Sequence, residues 1–207
     1  MGDPEKTDCM DYYPIIAANF QRTIETISLS VDALAAPLAR GSELMVQALL
    51  QDRKIVTCGN GVDAALGQIF AAVLLNHCEQ ERPALPALAL GSDSASLTAI
   101  AQSSGLNEVF SRQLRALGQP GDVLLCISSA GVAQNLLRAV QSAHELGMGV
   151  VALTHAGDRA LGALIREEDV EVAIEAPRQP QVLALHTMAV QCLCQLIDCS
   201  LFGTYRE

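Results

Sequence analysis

The chain has 207 residues, half of them apolar and only 3% aromatic, which predicts one domain with a core of Ala, Leu, Val and Ile. Its 23 acids against 13 bases give a net charge of −10, which argues against direct binding to a phosphate backbone. The acids are dispersed, so no acidic tail is implied. The start, "MGDPEKTDCMDYY", has no basic n-region and no apolar h-region, and Thr7 is one place too late for a myristoylation signal. No uninterrupted apolar run is long enough to span a bilayer, so a soluble cytoplasmic protein is expected. The seven cysteines are irregularly spaced and read as small core residues of a reducing compartment. Cys192-x-Cys194 lacks the second ligand pair of a zinc site, and no metal or cofactor is expected.

A polar tip over 1–11 precedes a single domain over 12–207. Two helices come first. One runs over 12–35 with Ile15, Ile16, Phe20, Ile24, Ile27 and Val31 on one face; Pro37 is expected to separate it from a second that ends near Gln51. Strands are then predicted over 54–58, 85–90, 122–127, 149–154 and 169–174. The first four are mostly apolar, as in a parallel sheet covered on both faces; the fifth alternates and belongs at an edge. Helical segments fall at 64–78, 93–101, 106–117 and 132–147, and a last helix runs from about Gln181 to Leu201. That helix is apolar on more than one side, which predicts burial against a partner subunit as well as the sheet. The fold class is α/β, doubly wound, with a parallel five-stranded sheet between helices.

Ligands of such sheets sit beyond the carboxyl ends of the strands, where helix N-termini present amides. Two polar turns are placed there. "CGNGVDAALG" follows the first strand and offers Gly59, Asn60, Gly61 and Asp63; "ISSAGVAQN" follows the third and offers Ser128, Ser129 and Gly131. These seven are the candidate ligand-binding residues. The first turn also fits G-x-G-x-x-A, but the second strand ends at Leu90-Gly91, well past the place of a ribose-binding acid.

"CGNG", "ERPALPALAL" (81–90), "RALGQPGDVLL" (115–125) and "CLCQLIDCSLF" (192–202) together resemble the sugar isomerase (SIS) domain family, in its phosphoheptose isomerase branch. The resemblance runs from about Phe20 to Phe202. It implies a three-layer α/β/α sandwich and a homotetramer. It also implies where catalysis occurs, and there this chain departs from the family. The family's His and Glu after the first turn fall on Ile69 and Val73, and its Gln and His of the last helix on Leu183 and Gln191. None of these can move a proton. The phosphate cradle departs too: the family's Gly-Ser is Val62-Asp63, its Thr-Ser is Ser129-Ala130, and its later Asn-Ser is Val132-Ala133. Asp63 at a helix start is expected to cap its own helix and to repel a phosphate.

These departures predict a protein without catalytic residues. The resemblance then implies a DiaA-like scaffold that binds a protein partner such as the replication initiator DnaA, with Leu201 and Phe202 on the partner surface or, alternatively, anchored in the core. The alternatives are a phosphoheptose isomerase acting on sedoheptulose phosphate, and a sensor that binds a phosphosugar in a vestigial pocket without turnover. His186 is expected to be packed and hydrogen-bonded, and His77 and His144 to lie at the surface. His155 stands at the ligand edge of the sheet without an identifiable partner acid.

Overall fold

The computed structural model describes residues 10–131 and 133–203. The polar tip, apart from residues 10 and 11, and Val132 of the second turn lie outside the described residues. Helix α1 spans Tyr13–Leu50 without interruption, with Pro37 inside it. The expected break is absent. Proline removes one amide donor from the helical ladder and costs about 3 kcal/mol in a helix interior. Here Leu34, Leu38, Met45, Val46 and Leu49, on both sides of Pro37, are buried on one continuous stripe. Their burial at about 1.5–3 kcal/mol each outweighs one lost bond.

The chain then alternates. Strand β1 (Ile55–Gly59) leads to α2 (Val62–Leu75), and β2 (Ala87–Ala89) to α3 (Ser94–Ser104). A 3-10 turn (Leu106–Glu108) and α4 (Val109–Leu117) precede β3 (Val123–Ile127). Next come α5 (Gln134–Glu145), β4 (Gly149–His155), the short α6 (Arg159–Gly162), β5 (Val170–Ile174) and α7 (Gln179–Phe202). All strand pairs are parallel, in the order β2-β1-β3-β4-β5, so β5 does lie at an edge.

Strand periodicity splits the core into two layers. Ile55, Val123, Leu125, Ile127, Val151 and Leu153 face α1, α2 and α7. Their neighbours Val56, Cys58, Leu124, Cys126, Val150 and Ala152 face α4 and α5. Cys58 and Cys126 are register partners on adjacent strands, and both are free, buried thiols. Their mutual hydrogen bond, with burial second, pushes the Cys58 thiol far above its ordinary range. α7, 24 residues long, meets the length and composition of a membrane-crossing helix, and half of that stretch is buried inside the molecule.

β1 stands between β2 and β3, so the winding direction reverses there. The turns after β1 and β3 therefore leave the sheet side by side and open a crevice at its carboxyl edge.

Candidate functional site

The two turns are knitted together at that crevice. Gly59 is required by close approach: a Cβ there would lie 2.7 Å from the Asp63 carbonyl carbon. Gly61 (φ 56°) and Gly131 (φ 92°) take the left-handed conformations that turn the chain. Asn60 and Asn135 exchange amide hydrogen bonds, Asn60 Nδ2 donating at 3.0 Å and Asn135 Nδ2 at 2.8 Å. Ser128 Oγ lies 3.1 Å from the Gly131 carbonyl and 3.3 Å from Asp158 Oδ2, and can donate to either. Asp63 does not cap its own helix as expected. Its buried Oδ2 instead accepts from the Ser129 amide at 2.9 Å, across the switch point. The reason is position: Asp63 lies in the first turn of α2, whose N-cap is Gly61, and the β3–α5 turn passes directly over it.

A cavity of about 350 Å³ opens beside these turns, lined by Ser129, Ala130 and Gly131 on one side and Ala176, Pro177, Arg178, Gln179 and Val182 on the other. His155, Gly157 and Asp158 complete it. Its walls lead into two helices, α5 and α7, and neither N-terminus has a side-chain cap. Uncapped first-turn amides and the dipole favour an anion, and Arg178, the N-cap residue of α7, adds a full positive charge.

Of the predicted ligand residues, Ser129 and Gly131 line this cavity. Asn60 and Ser128 are engaged in internal bonds, Gly59 and Gly61 shape the first turn, and Asp63 lies buried behind Ser129. His155 is fixed as a wall. Its Nε2 donates to the Ala176 carbonyl at 3.1 Å and its Nδ1 accepts from the Gly157 amide at 3.3 Å, which assigns the neutral Nε2–H tautomer. Asp158 caps α6 through the Leu161 amide.

His186 is fully buried, as expected of a packed histidine, and its Nε2 donates to the Thr154 carbonyl at 3.3 Å. Burial holds its pKa below the ordinary value; the Thr154 bond and the Asp63 charge act in the opposite direction, and His155 adds to the lowering. Three buried side chains at this end of β3 and β4 each carry a polar atom without a partner among the described residues, Asp63 Oδ1, Ser129 Oγ and His186 Nδ1, as does Gln181 Oε1 in the first turn of α7. His77 is exposed, whereas His144 corrects its surface assignment. The His144 side chain is 6% exposed, and its Nε2 sits 2.7 Å from Asp169 Oδ2. Asp169 also takes the Val150 and Arg166 amides, so it draws the ring in beside β4.

Ile69, half exposed on α2, and Val73, packed on the core, lie away from the cavity, as do Leu183 and the exposed Gln191. Leu201 packs against the core, and the Phe202 ring, 40% exposed, lies 5.9 Å from the Arg82 guanidinium. Both sit at the far end of α7, about 30 Å along the helix from Val182, the last of its residues to line the cavity. Sequence reasoning missed Arg178, Asn135 and Asp158. Arg178 was visible as a base just before Pro180 at the start of the last helix. Nothing local signalled that Asn135 would meet Asn60 from 75 residues away.

A second cavity of about 350 Å³ lies between α1 and α7, lined by Ile27, Val31, Leu34, Leu185, Met188 and Leu196 among others. It is almost wholly apolar, with Ser30, Cys192 and Gln195 as its polar members. It continues an exposed row of Tyr13, Ile16, Phe20 and Ile24 on α1.

The model of the SIS domain matches residues 19–155. The chain is 44% identical over 194 residues to a phosphoheptose isomerase of Azoarcus sp. (strain BH72), covering 94% of this chain and 98% of that protein. It is 41% identical over 195 residues to one of Chromohalobacter salexigens, covering 94% and 99%. Among solved structures it is similar to the phosphoheptose isomerase of Neisseria gonorrhoeae, with a TM-score of 0.85, 37% identity and coverage of 91% and 99%. For that of Francisella tularensis the TM-score is 0.88 and the identity 36%, over 91% and 99% of the two chains.

These relatives overturn the expectation of a chain outside catalysis, because proteins alike over nearly their whole length are curated as members of an enzyme family. The error was one of inference. Three aliphatic side chains and one amide at Ile69, Val73, Leu183 and Gln191 remove four groups, but they say nothing of buried groups that the fold brings together elsewhere.

Proposed function

Because the chain belongs to the SIS-domain family of phosphoheptose isomerases, we propose that it interconverts the aldose and ketose forms of a phosphorylated sugar in the cavity at the N-terminus of α7. One observation carries the reading: a cleft beyond the carboxyl ends of β3, β4 and β5, at the uncapped N-terminus of α7, with Arg178 in its wall. That arrangement fits a phosphate on a small polar ligand. The curated relatives carry the name of a heptose phosphate reaction, so sedoheptulose 7-phosphate is the first substrate to try.

Such a reaction moves a proton between adjacent carbons and needs a group that takes it and returns it. Ile69, Val73, Leu183 and Gln191 do not supply one. Among the described residues, the buried titratable groups at this end of the sheet with an unengaged acceptor atom are Asp63 and His186. The phosphate belongs on the other side, at Arg178 and the Ser129–Gly131 turn, away from the Asp63 charge.

The reading includes assembly as a homotetramer, supported by the exposed apolar row of α1 and the apolar cavity beside it. The test is turnover of sedoheptulose 7-phosphate by protein purified from a host lacking its own isomerase. Arg178→Ala is expected to raise KM about tenfold or more, the worth of a charge-assisted hydrogen bond. Absence of turnover in wild type, with the protein folded and assembled, sinks the reading.

A further inference from the structure

We propose that Asp63, Ser129 and His186 form a hydrogen-bonding subsite at the cavity floor that accepts a hydroxyl group: water in the free protein, a sugar hydroxyl in the complex. The identity of the sugar rests on the isomerase reading; the subsite itself rests on geometry. Asp63, Ser129 and His186 are 4%, 3% and 0% exposed, and each carries a buried polar atom without a partner among the described residues. Native interiors rarely leave such atoms unpaired, and three at one place point to a ligand or an ordered water.

Each side chain is held by its other contacts. Asp63 is tied through Oδ2 to the Ser129 amide. His186 is tied through Nε2–H to the Thr154 carbonyl at the end of β4. The Ser128 amide is tied to the Leu153 carbonyl, one residue earlier on that strand, which puts Ser129 and His186 at the same end of β3 and β4. The Asp63 charge is felt at the His186 ring.

The chemistry of the set is specific. With its proton on Nε2, neutral His186 presents a bare lone pair at Nδ1, and Asp63 Oδ1 presents another acceptor. Ser129 Oγ supplies the donor. Two acceptors and one hydroxyl suit a group that both gives and takes a hydrogen bond, as water and sugar hydroxyls do. They reject a phosphate, which at neutral pH brings mainly acceptors and negative charge.

The subsite adjoins the cavity through Ser129, which lines it, and through Val182, which also lines it one turn before His186 on α7. A phosphorylated sugar is thereby oriented, with phosphate toward Arg178 and a hydroxyl inward onto Asp63.

The test combines affinities with high-resolution crystal structures. Asp63→Asn keeps the shape and the bond from the Ser129 amide but turns the inward acceptor into a donor. It should weaken sedoheptulose 7-phosphate about tenfold or more while leaving inorganic phosphate, which probes only the Arg178 side, within about twofold. Ser129→Ala should cost about twofold to tenfold for the sugar phosphate alone. The ligand-free crystal structure should show a water bridging Asp63 Oδ1, Ser129 Oγ and His186 Nδ1. Equal weakening of both ligands by Asp63→Asn, or no weakening, overturns the proposal. So does a structure in which Ser129 Oγ donates directly to Asp63 and the ring nitrogen stays dry, or one with the phosphate seated on the Asp63 side. If water bridges the three atoms but wild type binds no sugar phosphate, the isomerase reading fails and the sugar is removed as occupant, with the hydrated subsite left standing.

Discussion

Replacing Arg82 tests how the C-terminal end of α2 and the end of α7 are held together. The Arg82 side chain is 2% exposed and Asp198 is 1% exposed. The Nε of Arg82 donates to Asp198 Oδ1 at 2.8 Å. Its terminal nitrogens donate to the carbonyls of Leu74 (2.8 Å), Pro83 (3.0 Å), Asn76 (3.1 Å) and Val73 (3.1 Å). Three of those carbonyls lie at the end of α2, where the last helical carbonyls have no partner within the helix. Phe202 covers the guanidinium from outside.

Arg82→Ala removes these bonds and leaves the Asp198 carboxylate buried without its guanidinium. Breaking a buried pair in this way costs about 3–5 kcal/mol. For a chain of this length each kcal/mol is worth about 2–4 °C, so the melting temperature should fall by roughly 6–20 °C. Arg82→Lys keeps the charge but loses the fork, and should fall in between. The double replacement Arg82→Met/Asp198→Leu should be less destabilised than Arg82→Ala, because no buried charge remains. Thermal and urea unfolding followed by far-UV circular dichroism, at one fixed protomer concentration, measure all of these. A loss below about 1 kcal/mol for Arg82→Ala, or no coupling between the two sites, would refute the reasoning.

Other outcomes follow from the same structure. Because burial holds the folded-state pKa of His186 below its unfolded value of about 6.5, the unfolded chain binds a proton first on acidification. Stability is therefore lost as pH falls through about 6.5 and levels off below the folded pKa. His186→Gln should flatten this part of the pH profile, and an unchanged slope between pH 7.5 and 5 would count against it; Asp63, His155 and Glu171, the last reached through Thr154, are the ionisable groups facing this region. Phe20→Asp on the exposed row of α1 should lower the assembly state in light scattering, and an unaltered mass would remove that row from the interface. Among the cysteines of the described residues, Cys78, exposed, should react first with a thiol reagent. Cys58, Cys126 and Cys194, the last with its thiol pushed up to about 12 by burial, should react only on unfolding.

The strands and most helices were legible because their signals are local. An apolar run such as "DVLLCI" has few alternatives to a central strand, and Gly61 and Gly131 mark turns that need positive φ. The early helix pair was misread because the break expected at Pro37 is also a local signal, whereas burial of the stripe from Leu34 to Leu49 against the sheet and α7 is not. The site divided in the same way. Its two turns and the loss of titrating groups at Ile69, Val73, Leu183 and Gln191 are properties of the string of residues. That Asp63 reaches the Ser129 amide 66 residues away, and that His186 turns a bare nitrogen to the same end of the sheet, are not.

The sequence by itself therefore determined the architecture, the two polar turns after β1 and β3 and the absence of acid–base side chains at four places. Only the tertiary structure decided what replaces them, because hydrogen bonds and burial between residues distant in the chain depend on crossovers that no short window contains. Nowhere is this plainer than at Asp63: as a letter it reads as a helix cap, and as a folded side chain it is an acceptor locked beneath the opposite turn.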